Sequence, residues 1–96
     1  MAHITYILYS ESLDRFYIGS SSESIDVRLD RHNSRYYDNS WSIRGIPWTI
    51  FLVIDCASQS QAHGIESHIE RMKSKVYVRN LVVHPEMIDK LKQKYS

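Results

Sequence analysis

Three groups of residues in this chain carry the side chains that phosphodiester chemistry uses. They are the run Phe16-Tyr17-Ile18-Gly19, the pair Arg28 and His32, and a carboxylate further on, Glu66. A phenol can hold or deprotonate a water, a guanidinium can neutralise charge developing on phosphorus, and a carboxylate can hold a divalent ion against phosphate oxygens. Arg28 and His32 are four positions apart, so on a helix both project from one face, flanking an apolar stripe of Ile25, Leu29 and Tyr36. Glu66 adjoins Ile65 and lies one turn from Ala62, which places it at the border of a buried helical face. Glu70, a turn later, competes with it for the same role, and a surface ion pair with a residue such as Arg71 is the alternative to metal ligation.

The elements that must position these groups are legible as periodicities. Ile4 to Tyr9 alternates and is rich in β-formers, which predicts a strand. Glu11 to Arg15 is a polar turn and Phe16 to Gly19 a returning strand, a hairpin that brings Tyr6 and Tyr17 into one neighbourhood. The spacing predicts a helix from about Ser24 to Arg35, with serines as caps and Glu23 and Asp26 near its positive end. Thr49 to Asp55 is the most apolar run and reads as the central strand. A second helix begins at Ser58, with Ala62, Ile65, Ile69 and Met72 at helical spacing, and Pro85 opens a third, over about residues 85–95. Gly64 inside the second helix costs up to ~1 kcal/mol against alanine and points to close packing or substrate approach. The expected fold class is α+β, a three-stranded β-sheet flanked by helices.

Ninety-six residues predict one domain spanning 1–96, with a core over about 4–81. There is no apolar run of about 18 residues and no signal-like N-terminus, so a cytoplasmic protein with no membrane partner is expected. Cys56 is the only cysteine, which excludes an intramolecular disulfide and a cysteine-built zinc site and predicts a buried thiol at a strand end. A net charge of +1 does not by itself mark a nucleic-acid binder. The distribution says more: Arg28, Arg31 and Arg35 cluster with Arg44 following, and Arg71, Lys73, Lys75 and Arg79 form a second group. Tyr36, Tyr37, Trp41 and Trp48, interleaved with Arg35 and Arg44, can stack on bases or sugars, although Trp48 after Pro47 reads better as an anchor to the core. His63 and His68 fall on different faces of the second helix and do not suit a shared metal.

Taken together and in order, these residues resemble a GIY-YIG endonuclease domain of the small kind, similar to the nuclease module of the excision-repair incision subunit. The second half of the name motif stands as Tyr17-Ile18-Gly19, while of the first half Ile4-Thr5-Tyr6 keeps the tyrosine. The family's arginine is carried onto Arg28, its histidine onto His32 followed by Asn33, its glutamate onto Glu66, and a late asparagine onto Asn80. The resemblance decides for Glu66 over Glu70.

It implies a metal-dependent endonuclease acting on DNA in repair, recombination or restriction. Tyr6, Tyr17, Arg28, His32 and Glu66 are then catalytic and converge on one concave surface, with one Mg2+ or Mn2+ on Glu66. Either tyrosine can be the base. Tyr6 is preferred, passing its proton toward His32, with Tyr17 orienting water or phosphate. Arg31, Arg35, Arg44, Arg71, Lys73 and Asn80 are the expected nucleic-acid contacts, on DNA that is branched, damaged, single-stranded or plain. Because modules of this family often work beside a separate DNA-binding domain, a protein partner supplying DNA specificity is implied. The alternative is a non-catalytic nucleic-acid-binding or complex-forming module that keeps the fold.

Overall fold

A computed structural model describes residues 2–36 and 41–96. Strand β1 (His3–Ser10) pairs antiparallel with both β2 (Arg15–Ser21) and β3 (Trp48–Cys56), giving the order β2-β1-β3. Its consecutive residues Ile4 to Leu8 are all buried, because helices cover both faces of the sheet and a strand lies on either side. β1, not the more apolar 49–55 run, is therefore the central strand. β3 lies at an edge with Ile50 exposed, and its register on β1 shifts between Ile7 and Leu8, a bulge that accommodates one extra residue. A continuous apolar run does not require a central position when both faces are covered.

The hairpin turn is held from outside the sheet. Asp14 adopts a positive φ of 49°, its Oδ1 accepts the Tyr9 hydroxyl at 2.7 Å, and its Oδ2 lies 3.0 Å from the Lys75 ammonium. Helix α1 (Ile25–Asn33) starts where the Ser24 hydroxyl accepts the Val27 amide, and it ends sooner than its periodicity predicts, at Ser34 followed by Arg35 with φ 62°. A 3₁₀ helix (Trp41–Gly45) leads into β3. Asn33 joins α1 to that strand, its Nδ2 donating to the Trp48 carbonyl at 2.9 Å and its Oδ1 accepting the Trp48 amide at 2.6 Å.

Two apolar layers result. On the α1 side, Ile4, Tyr6, Leu8 and Trp48 pack with Tyr17, Ile25, Leu29 and Val53. Trp48 is the predicted anchor, buried with its indole N–H on the Ser42 carbonyl at 2.7 Å. On the other side lie α2 (Gln59–Met72), α3 (Lys75–Val83) and α4 (Glu86–Lys94), which bury Ile65, Ile69, Val78, Leu81 and Leu91 against Ile7 and Ile54. Met72, expected on the inner face of α2, is exposed. Gly64 is explained by close packing: a Cβ there would lie 2.6 Å from the Tyr95 ring. Cys56 ends β3 half-buried. None of the described helices is long and apolar enough to cross a membrane.

Helix α3 is the element that periodicity did not announce. Val76, Val78, Val82 and Val83 are β-branched and weaken helix propensity, yet Ser74 caps the helix by accepting the Tyr77 amide at 3.1 Å, and Val78 and Leu81 fill the core. The C-terminal helix expected from Pro85 onward is thus the fourth, and its observed span begins at Glu86. If α3 is integral to the core, Leu81→Ala should lower unfolding free energy by ~2 to 5 kcal/mol. Denaturant titration checks this, and a change within ~0.5 kcal/mol would mean that α3 does not contribute to the core.

Candidate active site

The register of the hairpin brings the two tyrosines together. Tyr6 pairs with Gly19 and Tyr17 with Leu8, so both phenol rings lie on the α1 face as diagonal neighbours, with centroids 6.4 Å apart and planes 19° from parallel. Gly19 is needed there for space. A Cβ at that position would sit 2.6 Å from the Tyr6 hydroxyl and 2.7 Å from the carbon bearing it, closer than packed atoms come.

Arg28 and His32, one turn apart on α1, reach down to the same hydroxyl. Arg28 Nε and Nη2 donate to Tyr6 Oη at 3.3 and 3.1 Å, and His32 Nε2 lies 3.3 Å from it. Which of the phenol oxygen and His32 Nε2 carries the proton they share is set by the imidazole tautomer. Tyr17 completes the set, its ring edge-on to His32 at 4.4 Å. His32 is 2 % exposed. Burial, and after it the charge of Arg28, pulls its pKa down to about 4, so it is neutral at pH 7.

Glu66 arrives from the other layer. Along β2 the side chains alternate, so Tyr17 and Gly19 face α1, while Phe16, Ile18 and Ser20 face α2. The Ser20 hydroxyl donates to Glu66 Oε1 at 2.7 Å. Tyr6, Tyr17, Arg28 and His32 thus share the α1 face of the sheet, and Glu66 reaches the β2 edge from the α2 side. No ion pair to Arg71 holds it. The two sides communicate around β2, because this strand is an edge. A cleft of about 220 Å³ at its end is lined by Ser20, Ser21, Ser22 and Glu23 in the middle, by Arg28 of α1 on one side and by Ala62 and His63 of α2 on the other, and Ser20 links that cleft to Glu66. Ser20 lies just past the returning strand that the sequence predicts, Phe16 to Gly19, and was not among the candidate residues. Continuing the strand alternation past Gly19 is the signal that finds it.

The donor set suits one hard divalent cation. Among the described residues no three ligand-type side chains gather, which is compatible with magnesium, since that ion keeps several waters and takes phosphate oxygens as further ligands. A second carboxyl lies close: Glu70 is pushed up by desolvation, then by the charge of Glu66 and a hydrogen bond with it. Two crowded carboxyls are what a cation would relieve.

The residues expected to touch nucleic acid are dispersed. Arg31 is held by Glu23 in a two-pronged pair at 2.6 and 3.0 Å, and Arg71 donates to the Tyr95 hydroxyl at 3.1 Å, beside which His68 Nδ1 lies at 2.9 Å. Arg35, Arg44 and Lys73 are exposed, Asn80 is half-buried on α3, and Tyr36 is exposed. Tyr37 lies outside the described residues.

The model of the GIY-YIG catalytic domain matches residues 2–78, which include every expected catalytic position. The chain belongs to the GIY-YIG family, a family of nucleases that generally use divalent metal ions. Comparisons with curated proteins and with solved structures found no match.

The depressed pKa of His32 has a measurable consequence. The unfolded imidazole takes its proton near pH 6.5 and the folded one only near 4, so between these values the unfolded state binds more protons and stability rises with pH. The contribution is fully present above about pH 6.5 and is lost as pH falls toward 4. An NMR titration of the imidazole carbons should find His32 unprotonated at pH 5.5. A His32 resonance titrating near 6.5 would contradict the buried, Arg28-facing environment.

Proposed function

We propose that the protein is a divalent-metal-dependent endonuclease that hydrolyses phosphodiester bonds in DNA, in the service of repair, recombination or restriction. The reading is carried by the Tyr6 hydroxyl, which accepts two N–H bonds from Arg28 and lies 3.3 Å from Nε2 of a neutral, buried His32.

In this reading the scissile phosphate enters the cleft at the end of β2 and draws the Arg28 guanidinium onto its oxygens. That movement releases the acceptor positions of Tyr6 to a water. As the water oxygen bonds to phosphorus, its proton passes to Tyr6 Oη, the Tyr6 proton passes to His32 Nε2, and the bond from phosphorus to the leaving oxygen breaks. Arg28 neutralises the charge that accumulates on the non-bridging oxygens. Withdrawal of its charge from beside His32 also removes the second cause of that residue's low pKa, so the imidazole becomes a better base when the phosphate is in place. Tyr17, half-buried and against His32, orients the water or the phosphate. Glu66, with its carboxylate fixed by Ser20, would hold the divalent ion, which when bound supplies positive charge to the phosphate and the leaving oxygen.

Two substitutions test the roles separately. Arg28→Ala should lower magnesium-dependent cleavage by ~100-fold or more, the usual effect of removing one electrostatic donor, well beyond the loss of DNA affinity read by fluorescence anisotropy. Parallel loss of affinity and cutting would make Arg28 a phosphate clamp only. Glu66→Gln is nearly isosteric and can still accept from Ser20, so the fold should persist while cleavage and the rise in melting temperature with magnesium or manganese disappear. Full cutting by Glu66→Gln would refute the ligand assignment. If Glu66 serves only structure near the surface, its loss should cost ~0 to 1 kcal/mol and leave cutting unchanged.

A further inference from the structure

The outer edge of β2 carries more than the cleft at its end. A groove of about 520 Å³ follows the first half of the strand, with Arg15, Phe16 and Ile18 as its floor, Trp41 on one wall, and Glu70 and Lys73 on the other. Trp41 and Arg15 also line an adjoining hollow of about 340 Å³ that Arg44 closes. From Arg15 to Ser21 the strand extends ~20 Å, so groove and cleft form successive stations along one edge.

Trp41 is the unusual member. Its ring rests on Tyr17, with centroids 5.9 Å apart, and edge-on to Trp48 at 5.8 Å, yet it remains 48 % exposed. An indole braced from behind and open in front is a stacking platform, and base–aromatic stacking tolerates any base because every base has a π-face. The charges beside it agree in sign. Arg15, Arg44 and Lys73 are exposed and make no ion pair among the described residues, whereas Lys75 and Arg79 nearby are both directed at Asp14. Glu70 is the single acid lining the groove. Three cations against one carboxyl around an exposed aromatic ring match an anionic strand that carries flat bases. Tyr17 touches both Trp41 and His32, so a base on Trp41 is separated from the reacting centre by one ring.

We propose that this groove seats a single nucleic-acid strand, with one unpaired base stacked on Trp41 and flanking phosphates on Arg15, Arg44 and Lys73. The proposal rests on the nuclease reading of the adjoining cleft and names its substrate class: nucleic acid that is single-stranded, or opened, beside the scissile phosphate. A base held in a duplex keeps its own neighbours and cannot reach the indole.

Binding is measured on the full chain in EDTA, so that no cleavage enters, with labelled oligothymidine, labelled oligouridine and a blunt duplex as probes. Trp41→Leu should weaken oligothymidine or oligouridine about tenfold or more and leave the blunt duplex unchanged, while Trp41→Phe keeps most of the single-strand affinity. Single-strand affinity unchanged in Trp41→Leu, or equal loss on both kinds of probe, overturns the proposal. Should Trp41→Leu fail to fold, the emission of the wild-type protein decides: Trp48 is buried, so oligothymidine should quench the Trp41 component and the duplex should not, and absence of quenching at saturation overturns the proposal. A parallel assay with magnesium on a flapped and a blunt duplex separates the two readings. No cutting of either, with the binding pattern intact, removes the nuclease reading and keeps the groove. Equal cutting of both, by wild type and Trp41→Leu alike, removes the groove and keeps the nuclease.

Discussion

A phenol oxygen enclosed by protein must be given partners, since leaving it without them costs about 1 to 3 kcal/mol, and the partners of Tyr6 Oη determine where much of the chain goes. Tyr6 lies in the central strand with no exposed surface. On the strand beside it only a glycine leaves room for the hydroxyl. Above it, Arg28 and His32 must lie one helical turn apart and face down, which sets both the rotation and the distance of α1 over the sheet. That placement is reinforced from the far end of α1, where Asn33 holds the backbone of Trp48, and from below by the Trp48 ring packed in the same layer as Tyr6. Motif residues spread over two strands and a helix thus serve one atom.

The sheet order explains how a site can be split between two layers. With β1 in the middle and β2 outermost, the side chains of Gly19 and Ser20 point to opposite faces although they are adjacent in the chain, and nothing beyond β2 separates those faces. A carboxylate on α2 and a guanidinium on α1 can then address the same edge while each is anchored in its own core. The arrangement gives Glu66 a rigid helix and a hydrogen-bonded strand as supports, which positions it more precisely than a loop would.

Much of this was readable before the fold. Alternation in Ile4 to Tyr9 and in Phe16 to Gly19 gave the hairpin, the four-residue spacing gave the shared face of Arg28 and His32, and Ser24 and Ser58 marked helix starts that the structure caps as expected. What stayed hidden depended on long-range facts. The place of β3 at an edge follows from β1 pairing on both sides, which no local pattern reveals. Helix α3 is built from valines whose local preference is for strands, and tertiary burial of Val78 and Leu81 overrides it. The layer from which Glu66 arrives depends on which face of the sheet α2 covers. Arg31 looks like Arg28 in sequence, yet Glu23 claims it from across the helix start, so charge clustering overstated the basic surface near the site.

Arg28 connects resting structure to proposed reaction, because its charge acts twice in the resting state and once more with substrate. At rest it donates twice to Tyr6 Oη and helps hold His32 neutral. Hydrogen bonds from a charged donor to a neutral acceptor are worth about 1.5 to 3 kcal/mol, whereas a guanidinium against a phosphate at ~4 Å near a protein surface interacts by about 4 kcal/mol per pair of unit charges. Two bonds to the phenol and one such pair are of similar size, so in the proposed reaction the exchange of Arg28 from phenol to phosphate costs little, and it simultaneously exposes the Tyr6 oxygen and lifts the electrostatic penalty on protonating His32. In the proposed reaction base, relay and charge stabiliser become active together, when a phosphodiester is present. A site of this kind can keep its machinery buried and mutually satisfied without substrate, because the ligand that needs the chemistry also supplies the charge that releases it.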